Sequence, residues 1–226
     1  MPVTRLQVEG TDLAYEGGFA KPAFSILDNP GTVCELLLEV LAPFGCTAAD
    51  LTLDDDGEPG DRGVSCDVDD LDASVTVRGD RVELRVSEFA PDSAQAAASI
   101  LDTIWSGLAA INARAVPKNH SVLFEINAAI RDSSYQRVLE RFAPVPPVFP
   151  GGTESALVYY LPADSSRGYG ESSVVLNRSA VVEHGLQISA TLVYEDQELK
   201  PAAVISVAQA QLAELLRNLE VELSGA

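Results

Sequence analysis

Two histidines, His120 and His184, and three cysteines, Cys34, Cys46 and Cys66, are the side chains of this 226-residue sequence best suited to nucleophilic, acid–base or metal chemistry. A general base needs a positioned nucleophile or substrate beside it. His120 follows Asn119 at the start of an apolar run, and His184 sits in the turn-like Glu183-His184-Gly185, so neither meets that requirement. Exposed or capping roles are expected for both. The cysteines are odd in number, are separated by 12 and 20 positions and include no C-x-x-C pair. That pattern fits neither a thiolate metal site nor a disulfide framework, and it points to reduced thiols in a cytoplasmic protein. No G-x-S-x-G elbow, phosphate-binding glycine loop, G-x-G-x-x-G or H-E-x-x-H occurs. No catalytic, cofactor-binding or metal-ligating residue is therefore assigned, and no cofactor is expected.

Acidic residues are the more conspicuous feature. Asp54, Asp55 and Asp56 open the segment DDDGEPGD, and Asp69 and Asp70 come shortly after. A calcium loop needs glycine at its sixth position and a carboxylate at its twelfth, but counting from Asp54 these are Pro59 and Ser65. A solvated turn able to meet a basic partner is the expectation. In Arg78-Gly79-Asp80 the last two residues supply a two-residue turn, so the tripeptide carries no adhesive meaning. The segment Ala143–Gly152, APVPPVFPGG, reads as a stiff connector, with Val148 and Phe149 as apolar contact candidates. The Ser-rich run around Gly168-Tyr169-Gly170 reads as a mobile surface loop, and Trp105 as a core residue.

Charge narrows the partners. Thirty-four acids against fifteen bases give a net charge of −19, of which −14 falls in residues 1–115 and −5 in residues 116–226. Such a surface repels phosphate backbones and anionic membranes. No run is long and apolar enough to span a bilayer, and the first residues lack a leader pattern. The expected partner is a protein, especially a basic one, and self-association is left open.

Periodicity supplies the elements that would hold these residues. Capping-box pairs at Thr32…Glu35, Asp92…Gln95, Ser133…Gln136 and Ser206…Gln209 each precede apolar residues at helical spacing, and predict four amphipathic helices. Alternating runs predict strands at Arg5–Val8, Phe24–Leu27, Val64–Val68, Val122–Ile130, Ala156–Leu161, Ser173–Leu176 and Leu186–Tyr194, with a hairpin over Ser74–Val86. The fold class is α+β, with mainly antiparallel sheet covered by the four helices. Residues 1–115 and 116–226 each read as strand, helix, strands, helix, which suggests two duplicated halves in two domains or one continuous one. Function is then expected to be a non-enzymatic protein-binding module, a chaperone, immunity or assembly factor, working through an exposed sheet face or a helix groove. A small-molecule-binding or hydrolytic enzyme is the alternative.

Overall fold

Alternation of apolar and polar residues produces strands with one wet and one dry face, and the longest such element is also the centre of the structure. The computed structural model describes the chain except residues 1–2, 55–57, 59, 132–133, 143–154, 197 and 225–226. Its fold is α+β, with a ten-stranded, almost wholly antiparallel sheet and four α-helices among the described residues. The strands are β1 (Thr4–Phe19), β2 (Leu51–Asp54), β3 (Gly63–Val68), β4 (Ala73–Arg78), β5 (Arg81–Val86), β6 (Pro117–Ile130), β7 (Leu157–Leu161), β8 (Ser172–Arg178), β9 (Leu186–Tyr194) and β10 (Val221–Ser224). The helices are α1 (Pro30–Leu41), α2 (Pro91–Ile111), α3 (Tyr135–Glu140) and α4 (Pro201–Asn218).

Spatial order across the sheet is β2-β3-β4-β5-β1-β6-β9-β8-β7. The antiparallel pair β1–β6 forms the middle, running from Leu6↔Ile130 to Phe19↔Pro117 with a bulge between Val8 and Gly10. β10 adds in parallel beside the first residues of β1, Thr4↔Val221 to Gln7↔Ser224. The first half of the chain thus supplies β2–β5 on one side of the centre, and the second half supplies β7–β9 on the other.

Period-two burial sorts the two faces. Leu13, Tyr15, Val82, Leu84, Val122, Phe124, Ile188, Ala190, Leu192, Val174 and Leu176 are all buried on one side. Among the helices, α1 packs on α2 and β3, and α4 packs on α2 and β6. Gly17 makes room for this packing, since a Cβ there would lie 2.3 Å from the Tyr15 hydroxyl and 2.6 Å from the Trp105 ring. On the other side one continuous row crosses eight strands: Asp67, Ser74, Arg85, Ala14, Leu123, Thr191, Ser173 and Tyr160. These residues are partly or fully exposed, and most are small or polar.

Three expectations are corrected by the fold. Phe24–Leu27 is a 3-10 helix rather than a strand, with Ile26 and Leu27 buried, and the strand that opens the first half is β1. The helix starts also differ. α1, α2 and α4 each begin with proline at the first helical position (Pro30, Pro91, Pro201) and have no side-chain cap. Proline there has its φ preset and its missing N–H is one no helix would use. Thr32 and Ser206 consequently lie inside their helices, and the Ser206 hydroxyl donates to the Ala203 carbonyl. For α3 the cap is Ser134, which accepts from the Arg137 amide, while Ser133 lies outside the described residues. Finally, Cys46 and Cys66 form a disulfide, leaving Cys34 as the free cysteine. Cys66 faces the core from β3, on which α1 packs. The chain leaving α1 turns back over it at Gly45, whose φ of 82° suits glycine. Three dimensions pair what a 20-residue spacing left unpaired.

Candidate functional site

Three places gather polar side chains: a buried cluster, the polar face of the sheet, and a groove beside α4.

The buried cluster joins β1, α2 and β6. Trp105 Nε1 donates to the Tyr15 hydroxyl at 2.9 Å, and that hydroxyl lies 2.8 Å from His120 Nδ1. With the indole donating to it, the phenol donates onward to the imidazole nitrogen. Burial depresses the His120 pKa to about 4, outweighing a hydrogen bond to the Leu199 backbone that acts the other way. Burial also raises the Tyr15 pKa, against the effect of Trp105. The imidazole is therefore neutral, and its partners are a phenol and a backbone group rather than a carboxylate. Such a set is self-satisfied and structural. The expectation of an exposed or capping His120 is corrected, since only 2% of it is exposed. Trp105 is a core residue, T-stacked on Phe19. His184 occupies its turn with φ 57°, exposed beside Glu183.

On the polar face, register decides which charges meet. Glu16 stands opposite Glu83 on β5. Glu83 is bridged by Arg81 at 2.7 Å and Arg78 at 3.0 Å, and Arg81 also reaches Glu16 at 3.7 Å. Burial raises the Glu83 pKa, but the two arginines outweigh it and hold the carboxyl below its usual range. Asp12 stands opposite Glu125 on β6 in the same way, without such help. Among the described residues no cation lies within ion-pair distance of either. Asp12 accepts from the Glu88 amide at 3.2 Å, and Glu125 accepts from the Ser189 hydroxyl at 3.5 Å. Both line a depression of about 350 Å³ with Ala14, Arg85 and Leu123. A second depression of about 320 Å³ continues past Arg85 to Asp67, Asp69 and Asp72.

The residues expected to contact a partner are dispersed. Asp69 and Asp70 are exposed in a 3-10 turn between β3 and β4, and Asp69 lines the second depression. Asp54 is exposed at the far end of β2, opposite Gly63, about 17 Å away along β3. It borders a hollow of about 60 Å³ with Leu53 and Arg62. The fold does not bring Asp54 together with Asp69 and Asp70. Asp55, Asp56, Val148 and Phe149 lie outside the described residues. Among the described residues there is no cluster of metal-ligating side chains, and no helix is long and apolar enough to cross a membrane.

The groove went unrecognised in the sequence. The β7–β8 connection is pinned rather than loose: the Asp164 amide donates to the Tyr169 carbonyl at 2.9 Å, and the Gly170 amide donates to the Val193 carbonyl at 2.8 Å. This connection forms one wall and α4 the other, enclosing about 420 Å³. On α4, Glu214 and Leu215 each lie three or four residues from both Gln211 and Asn218, so the four share one side. The Tyr194 hydroxyl donates to Gln211 Oε1 at 2.7 Å and fixes that amide. Only the steps on α4 were visible in the sequence; their facing wall was not. Compared with models of known protein families and with curated proteins, the chain matches none.

Proposed function

We propose that this chain is a non-enzymatic protein-binding module, of the chaperone, immunity or assembly-factor kind, that docks a basic protein partner on the polar face of its sheet. In this reading the two halves, each a long strand, a helix, antiparallel strands and a long helix, are a diverged duplication. Their helices lie over the buried face, leaving the other face to the partner. The observation that carries the reading is the cross-strand pair Asp12 and Glu125, like charges set side by side in a depression with no described cation, Arg85 of the same lining included, within ion-pair distance of either. Directly opposed like charges weaken a sheet pair. A lysine or arginine from a partner relieves that repulsion, and the net charge of −19 steers such a partner in.

The test compares wild-type protein with the Asp12→Lys/Glu125→Lys double variant, both immobilised and exposed to native lysate, with quantitative mass spectrometry of what each retains. A protein held by the wild type, released by raised ionic strength and lost from the variant supports the reading. The same retained set on both surfaces overturns it, and a thermal melt establishes that the variant is folded.

A further inference from the structure

The groove between α4 and the β7–β8 connection lies on the opposite side of the sheet from the polar face, so a ligand there is independent of any partner docked on that face. Its charges do not balance. Asp164 is engaged within its own turn: Oδ1 accepts from the Ser166 amide at 3.0 Å and from the Ser166 hydroxyl at 2.6 Å, and Oδ2 faces Arg167 Nε at 3.6 Å. Those contacts match the only guanidinium among the described lining residues with the nearer of their two carboxylates. Glu214 is left over. No described cation lies within ion-pair distance of it, and it is exposed at the groove mouth between Gln211 and Asn218. Below it the lining turns apolar, with Leu161, Leu215 and the ring of Tyr169, which is edge-packed on Tyr194.

A ligand complementary to this arrangement needs one positive charge for Glu214, spare N–H groups for the neighbouring amide oxygens, and a narrow aliphatic stem to lie along the leucines and the phenol ring. We propose that the groove binds a primary ammonium carried on an unbranched aliphatic stem, the chemistry shared by small aliphatic diamines and the lysine side chain. The ammonium pairs with Glu214 and the stem displaces water from Leu161 and Leu215. The volume of about 420 Å³ is ample for such a stem and lies in the range of small-ligand sites.

Titration of isotopically labelled protein with 1,5-diaminopentane, with a lysine-containing tripeptide blocked at both ends, and with 1-pentanol tests this by amide chemical shifts. Saturable shifts confined to residues 161–172 and 211–218 on adding either amine, weakened about fivefold in Glu214→Gln, support the proposal. Tighter binding of the diamine identifies a free amine as the natural source, and tighter binding of the tripeptide identifies a protein's lysine. Equal binding of 1-pentanol overturns the proposal, because the groove would then select only for apolarity. Shifts centred on Asp67–Asp72, undiminished binding by Glu214→Gln, or no saturable shift at millimolar amine also overturn it. Glu214 is exposed on the helix surface, so the glutamine variant keeps the fold.

Discussion

On the buried side of the sheet, Tyr15, Trp105 and His120 satisfy one another's hydrogen bonds at distances below 3 Å. On the polar side, Asp12 and Glu125 stand paired in register with no described cation within ion-pair distance of either. Tyr15 and His120 lie on the same central pair β1–β6 as Asp12 and Glu125, with Tyr15 three residues from Asp12 along β1, so the difference comes from which way alternate side chains point. Where water is excluded, an unmet polar atom costs stability outright, and the sequence supplies every partner from within. Where water or another molecule can reach, a mismatch costs little and can be left for a partner to resolve. The neighbouring pair Glu16 and Glu83 shows that the polar face can neutralise opposed acids when Arg78 and Arg81 are supplied. Asp12 and Glu125 have hydrogen-bond donors but no described ion-pair partner of this kind.

This contrast can be broken from its stronger side first. Trp105→Ala removes a buried ring and the donor to Tyr15, and is expected to cost about 3–5 kcal/mol in urea unfolding. A loss below about 1 kcal/mol would show the cluster to be peripheral. His120 supplies the next effect. Its folded pKa of about 4 lies below the ordinary 6.5, so the unfolded chain binds the extra proton between those values. Stability from this residue is complete above about pH 6.5, falls as pH drops through the window, and levels off below about pH 4. The loss is roughly 3 kcal/mol and should be absent from the pH–stability curve of His120→Gln. Tyr15→Phe leaves the Trp105 N–H and the His120 nitrogen without their shared partner, and is expected to cost about 1–3 kcal/mol. A neutral result would mean that water enters the cluster. On the polar side the sign reverses. Glu125→Gln removes one of the two opposed charges while keeping an acceptor for Ser189, and should raise stability by about 0.2–1 kcal/mol. A decrease in its midpoint of unfolding would show that the pair is already neutralised.

Elements governed by local alternation were legible. The span Leu186–Tyr194 is β9 to the residue, and Ser74–Val86 covers the β4–β5 hairpin except its first residue, Ala73. β1 was read only at Arg5–Val8, because Gly10, Gly17 and Gly18 look like turn residues. Inside the strand Gly17 instead admits the Tyr15–Trp105 contact, which only the folded sheet reveals. β10 was absorbed into the last helix, since Leu219 and Leu223 keep helical spacing; Glu220, with φ 54°, ends the helix between them. The site was harder still. Asp12 and Glu125 meet only through the β1–β6 register, and Glu214 gains a cavity only because a pinned loop from another hairpin faces it. Asp54 and Asp69, close in sequence, are parted by the length of β3. Composition gave the sign of the charge and register gave its address.

The parallel seat of β10 beside Thr4–Gln7 has a kinetic consequence. Residues of β1 pair with residues made more than two hundred positions later, as the contact between Arg5 and Glu222 illustrates. During synthesis that flank of β1 stays bare after β5 and β6 are available, and its backbone groups can recruit stray strands meanwhile. Closing so long a loop late makes this strand addition a slow step, so assembly of the sheet should end beside β1.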